Sequence, residues 1–361
     1  MPVLNRIAEF HDDMIAWRRH LHQNPELLFE TAETAAFVAD RLREFGVDEI
    51  HEGIAENGIV ALIEGQGPGP VIGLRADMDA LPIQEARDLA HKSQVPGKMH
   101  ACGHDGHTTM LLGAARYLAE TRNFAGKVAL IFQPAEEGGG GADVMIQEGI
   151  LDRFGIERVF ALHNWPGLEA GQIETNYGPT MAAADQFDVV IKGHGAHAAF
   201  PHASVDPIVV GAQIVQALQS IVSRNTPPGE RVVVTVSRFQ AGTTHNVIPA
   251  EALLSGTVRS LNETLRQDVA RRFEAIVGGI CAAHGATAEI DYRFGYPVTE
   301  NDPAQTDVAM AAAADVCGAD RTSLDHMPSM GAEDFSYMLQ ARPGSYVYLG
   351  AGDIAGLHHP D

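Results

Sequence analysis

Several features that would place a chain quickly are scarce here. Only three cysteines occur, Cys102, Cys281 and Cys317. So small and odd a set offers no disulfide framework and suits a reducing compartment. Positive charge is also short: 25 Lys and Arg face 47 Asp and Glu, for a formal net charge of -22. That balance argues against a nucleic-acid surface and against anionic membranes. No run approaches the ~20 apolar residues of a membrane-crossing helix. The opening residues, MPVLNRIAEFHDD, lack the apolar core of a secretion signal, so a cytoplasmic location is expected. The chain has no internal repeat, no low-complexity linker, no Gly-x-Ser-x-Gly nucleophile elbow and no His-Glu-x-x-His zinc helix.

What remains is an ordinary globular composition, 45% hydrophobic and 20% charged over 361 residues. That length suits two or three domains and a substantial core. The hydrophobic periodicity predicts amphipathic helices over 9–23 and 32–45, the second stopping at Gly46. Short apolar runs at 59–63, 71–74, 128–132 and 159–162 read as strands, with a helix over 108–119 between them. Strands alternating with helices imply an α/β layer with a largely parallel sheet. The style changes near residue 182, where Phe187, Val189 and Ile191 alternate with polar neighbours, as in a sheet with one wet face. A helix over 207–223, strands at 231–239 and 252–259, a helix over 263–284 and a strand at 287–294 follow. The order β-α-β-β-α-β is the ferredoxin-like split arrangement. It occupies 182–294 as an insertion within a discontinuous domain, 1–181 and 295–361. Helices near 307–317 and 333–341 and a strand at 346–349 return to the first style.

The chain has seventeen histidines, and they matter where they cluster. The densest segment is MHACGHDGHT, residues 99–108. Cys102 and His104, one residue apart, can point to one side of an extended loop and converge on a cation. Thiolate and imidazole are ligand types that zinc accepts. The competing reading of this segment is a thiol nucleophile assisted by histidine, although thiol chemistry has no need of the carboxylate pair that comes next. That pair is Glu136 and Glu137, in FQPAEEGGGG directly after an apolar strand. Adjacent buried carboxylates are costly unless cations accompany them. On extended backbone the two diverge, so one can bind metal while the other faces substrate and water. The glycines allow close backbone approach, or form a plain flexible loop; no Gly-Lys-Ser/Thr follows to suggest a phosphate cradle. His163 closes the 159–162 strand, and Leu357-His-His-Pro360 lies near the C-terminal end. Together these segments bring Cys, His and Glu to strand ends of one α/β layer, where such folds place their sites.

At this point the sequence resembles a known family. RADMDALP at 75–82, MHACGHDGHT, FQPAEEGGGGA, GAHAAFPH at 195–202, THNVIPA at 244–250, GTVRS at 256–260 and MGAEDF at 330–335 carry the resemblance in order over nearly the whole chain. They are similar to the aminoacylase, hippurate hydrolase and indole-acetyl-amino-acid hydrolase group, within the carboxypeptidase G and aminoacylase superfamily.

The resemblance implies a dinuclear-metallopeptidase-like catalytic domain and an inserted lid domain that makes a homodimer. It implies a hydrolase that cuts the amide bond of N-acyl amino acids with two divalent metal ions. Zinc is the default for these ligands, with manganese or nickel as alternatives. Cys102 resembles the ligand shared by both metals, Glu137 and His358 the other ligands of one, and His104 and His163 those of the second. Glu136 resembles the general base, and Asp77 and Asp79 the groups behind the ligands. In the lid, His197 resembles a histidine that reaches the substrate carbonyl across the dimer. Asn246 and Arg259 resemble substrate-binding positions, the arginine suited to a carboxylate. Glu333 is expected near the site, while His194 and His202 receive no role. The family pattern continues past the last His-Pro, whereas this sequence ends at Asp361; His359 is the neighbouring alternative to His358. Two other functions compete: a dipeptidase or carboxypeptidase, and an inactive metal-binding interaction protein.

Overall fold

The apolar runs between glycine-rich turns become strands of an eight-stranded sheet. In the computed structural model, which describes residues 2–361, the chain divides into two units. One comprises residues 1–180, 300–327 and 334–361; the other comprises 181–299 and 328–333.

The first unit holds the large sheet. Its strand order is Glu49–Ile54, Gly58–Glu64, Lys127–Gln133, Val71–Asp77, Ile156–Pro166, Gly344–Gly352, Ile173–Glu174, Thr322–Ser323. Four pairings are parallel and three antiparallel, so the sheet is mixed, with a parallel centre. Strands Gly58–Glu64 and Lys127–Gln133 are buried on both faces along almost their whole length. This is why they read as continuous apolar runs rather than alternating ones. Helices His11–Gln23, Ala32–Phe45 and His104–Thr121 cover one face, with Trp17, Val38, Leu42, Leu111 and Leu112 in the shared core.

Some boundaries differ from expectation. The 9–23 helix is split, with Pro2–Glu9 preceding His11–Gln23. The strand leading to His163 runs three residues past it, to Pro166. The helix expected from 108 starts at His104 instead. Cys102 and His104 are therefore not neighbours on an extended loop: Gly103, at φ 92°, turns the chain between them into the helix. Only glycine takes that conformation without strain. A Cβ there would also sit 2.4 Å from Asn164 Oδ1.

The second unit is a four-stranded antiparallel sheet in the order Val232–Ala241, Glu251–Ser260, Ala183–Lys192, Thr287–Phe294. With helices Pro207–Ser220 and Glu263–Ala283 it forms the ferredoxin-like split β-α-β arrangement. Phe187, Val189 and Ile191 point into a core with Ile214, Leu218, Phe273 and Val277. Both helices are capped as their sequences suggest. Asp206 accepts from the Ile208 N–H ahead of Pro207, and Asn262 accepts from the Leu265 N–H.

One buried ion pair ties this sheet to its long helix. Arg266 Nε donates to Asp185 Oδ1 at 3.0 Å, and Tyr292 OH and the Gly295 N–H add donors to the same carboxylate. Asp185→Ala would leave the arginine buried without its counter-charge. The expected loss is ~3–5 kcal/mol, read from urea unfolding of the full chain; a change below about 1 kcal/mol would show that water replaces the carboxylate.

Candidate metal centre

The parallel strands deliver the site residues at their C-terminal ends. Asp77 ends Val71–Asp77 and pairs in register with Gln133, so Glu136 and Glu137 emerge just beyond it. His163 lies on Ile156–Pro166, and Tyr348 is its register partner on the neighbouring strand, which leads on to His358. His104 opens the 104–121 helix, whose buried positions 104, 108, 111, 112, 115 and 119 form the stripe facing the sheet.

Two sets of donor atoms result. Cys102, His104 and His163 present ligand atoms all within 4.8 Å of one another, and so do Cys102, Glu137 and His358. Cys102 belongs to both. Its sulfur is 3.4 Å from His163 Nε2, and His358 Nε2 is 3.2 Å from Glu137 Oε1. Ligands held ~2.0–2.3 Å from a tetrahedral ion stand roughly 3.3–3.8 Å apart, so the first spacing falls in that range and the second within about 0.1 Å of it. Both ring nitrogens of the fully buried His104 and Oε1 of Glu137 lack hydrogen-bond partners. Buried unsatisfied polar atoms of this kind are what a cation would satisfy. The donor set and the orphaned atoms fit divalent metal.

Hydrogen bonds fix how the donor groups face. His163 Nδ1 contacts the Asn164 carbonyl at 2.6 Å, so Nδ1 carries the proton and Nε2 turns its lone pair toward Cys102. Asp79 accepts the backbone N–H of Glu136 at 3.0 Å and of Glu137 at 3.1 Å, one on each oxygen, and lies 3.5 Å from His104 Nδ1. Asp77 receives Arg75 at 2.7 Å and lies 2.6 Å from His107 Nδ1. Glu136 is buried, and a third set of close ligand atoms comprises it, His104 and Glu137. It is therefore near both donor sets without belonging to either set built on Cys102. Ala135, just before it, has φ 57°, and His358 has φ 60°. Strained backbone at two such positions is characteristic of a site held by its surroundings.

The charges respond to this crowding. Burial pushes the Cys102 thiol up. Burial also drives His163 well below the ordinary imidazole value. His104 is raised, because Asp77, Cys102 and Asp79 outweigh its burial. For Asp77, burial is opposed by His104, Arg75 and His107, and the carboxyl falls well below its usual range. His358 is raised to about 10 by the closeness of Cys102 and Glu137 to its ring.

Other expected residues lie elsewhere. His359 is turned away: its Nδ1 accepts the Asp361 N–H at 3.2 Å. His197, Asn246 and Arg259 belong to the second unit. His197 lies on a two-residue strand paired with Val247–Ile248, and the Asn246 carbonyl accepts the Ala198 N–H at 3.0 Å, so these two are neighbours. Arg259 is half-buried on Glu251–Ser260, opposite Ala184. His194 bridges to Val205 and His202 packs against Phe200, whereas Glu333 is buried next to Asp334 with its carboxylate among the close ligand atoms, as expected of a residue near the site. Residue-level reading missed His107 and the buried group Arg75, Gln133 and Asp334, in which Arg75 donates to Asp334 at 3.0 Å and to Gln133 at 2.8 Å. The three-residue spacing of His104 and His107 was the one usable signal, since it sets them on one helix face.

The chain belongs to peptidase family M20/M25/M40, whose profile matches residues 73–361. It is 43% identical over 355 residues to an N-acetyl-L-cysteine deacetylase of Bacillus subtilis, covering 98% of this chain and 84% of that one. It is 48% identical over 299 residues to an N-acyl-L-amino acid amidohydrolase of Geobacillus stearothermophilus, covering 82% and 80%. Among solved structures, the Bacillus subtilis YXEP protein, a dinuclear metal binding peptidase of the M20 family, superposes with a TM-score of 0.86 at 38% identity, over 98% of this chain and 92% of that one. No helix among the described residues is long and apolar enough to cross a membrane.

The raised pKa values carry a consequence for metal uptake. The Cys102 thiol and His358 are pushed toward their protonated forms, and a cation bound by them would displace those protons. Metal affinity should therefore rise with pH, by about tenfold per pH unit for each proton released, until the medium approaches the His358 value. Competition against a chromophoric chelator at several pH values measures the slope. A flat profile would show that neither proton is displaced.

Proposed function

We propose that this protein is a metal-dependent amidohydrolase that cleaves the amide bond of N-acyl amino acids, giving a carboxylic acid and a free amino acid. The observation that carries the reading is the shared thiol: Cys102 joins two ligand sets, with Glu136 beside both and in neither. The activities named for the Bacillus and Geobacillus relatives support the substrate class.

In this reading Cys102, His104 and His163 hold one cation, and Cys102, Glu137 and His358 the other. Zinc suits the thiolate and imidazole donors, and manganese or nickel can occupy the same cage. The bound ions supply Lewis acidity to water and to the substrate carbonyl. Glu136 takes a proton from the attacking water and passes it to the leaving amine. Asp79 holds both glutamates by their backbone, and Asp77 supports the histidines. The discontinuous unit is the catalytic domain. The inserted unit is a lid that joins two copies into a homodimer. From it His197, acting in the partner's site, stabilises the oxyanion, and Asn246 and Arg259 hold the amino acid carboxylate. A chain with three free cysteines suits the cytoplasm.

A substrate panel tests the function. With metal supplied, acetyl-, benzoyl- and indole-acetyl-amino acids should be hydrolysed in preference to free dipeptides. Preference for dipeptides would reassign the enzyme as a peptidase, and inactivity on all would favour a binding protein.

The paired glutamates should separate by role. Glu136→Gln should keep metal and substrate binding while turnover falls ~100- to 10,000-fold. Glu137→Gln should lose metal and activity together. Turnover and metal stoichiometry of the two variants decide, and the reverse pattern would swap the assignments.

A further inference from the structure

His107 takes no part in the reaction described above, yet its ring packs against two members of the first ligand set. Its side chain is buried. Its ring stands 4.5 Å from that of His163, edge to face, and 5.4 Å from that of His104, stacked. Its two nitrogens are both engaged. The Asn164 backbone N–H donates to Nε2 at 3.0 Å, so Nε2 has no proton and Nδ1 has one. That proton goes to Asp77 Oδ1 at 2.6 Å. Asp77 is held in turn by Arg75, and its backbone carbonyl accepts the Thr108 hydroxyl at 2.8 Å.

Asn164 is the link to the ligand. Its N–H is fixed by His107, and its carbonyl accepts His163 Nδ1–H at 2.6 Å. One residue therefore carries both bonds. Through it the orientation of His107 sets the orientation and tautomer of His163, whose free Nε2 faces Cys102. Among the described residues, no hydrogen bond joins His107 to Glu137 or His358, which stand on turns beyond other strands.

We propose that His107, oriented by Asp77, is a positioning residue for the cation held by Cys102, His104 and His163, and that it acts through the Asn164 backbone on that cation and not on the one held with Glu137 and His358. The inference rests on the ligand assignment made under the proposed function. It makes the two cation sites unequal in their dependence on a residue that touches neither.

Metal-free protein titrated with Co2+, followed by visible absorption and equilibrium dialysis, tests this without an activity assay. The wild type should take up two ions. His107→Phe keeps a flat ring against His104 and His163 but removes both hydrogen bonds; one binding step should weaken ~10- to 100-fold while the other stays unchanged. His107→Gln, with one donor and one acceptor, should fall between. If His107→Phe does not fold, as judged by circular dichroism, His107→Gln carries the test alone, with the same direction and a smaller loss. Wild-type affinity at both sites in a folded variant overturns the proposal, and so does equal weakening of both. Failure of the wild type to bind any Co2+ overturns the ligand assignment itself, and the proposal with it.

Discussion

The Cys102 sulfur and the imidazoles of His104 and His163 are buried with their ligand atoms turned toward one another. Lone pairs in that arrangement repel, and water is largely excluded, so protons or cations must stand between them. Much of the surrounding structure serves to keep them there. Gly103 allows the chain to turn from the cysteine into the helix within one residue. Asp79 clamps the backbone of both glutamates, and Asp77 anchors His107 behind these side chains. An apolar core under the 104–121 helix holds that helix against the sheet, so the imidazole at its first position cannot relax outward.

The sheet supplies the registration. Parallel pairing of Val71–Asp77 with Lys127–Gln133 and with Ile156–Pro166 aligns three strand ends, and each releases a chemically active residue at the same level. The buried Arg75–Asp334 contact then joins residues 259 apart in the chain and stitches the late helix Phe335–Ala341 beneath the same edge. Removing a charge from that contact would be felt at the centre, because Arg75 also holds Asp77.

Much of this was legible in the sequence because the chemistry is concentrated in short strings. A cysteine two residues from a histidine, and two glutamates after an apolar strand, identify ligand-like groups without a fold. The apolar periods located most strands and helices within a few residues of where they lie. What could not be read was of three kinds. The polar edge strand Glu49–Ile54 has no apolar alternation and exists because Gly58–Glu64 pairs with it. The helix start at His104 depends on a left-handed glycine, and without it His104 and His107 do not fall on one face. Adjacent His358 and His359 look alike in sequence, and only the φ of 60° at His358 decides which one faces Glu137.

The division of the chain also bears on how the protein is made. The inserted unit is nearly contiguous, running from 181 to 299 with one short return at 328–333. The other unit is split, and strand Gly344–Gly352 sits inside its sheet between Ile156–Pro166 and Ile173–Glu174. During synthesis the insertion can therefore mature while the sheet that hosts it still lacks an internal strand. For that interval two strand edges wait unpaired, an aggregation hazard that the compact insertion does not share. His358 follows the missing strand, so the ribosome delivers this histidine only after the strand that closes the sheet. A half-made chain thus carries the thiol and most of the imidazoles but cannot yet bring both sets of donor atoms together.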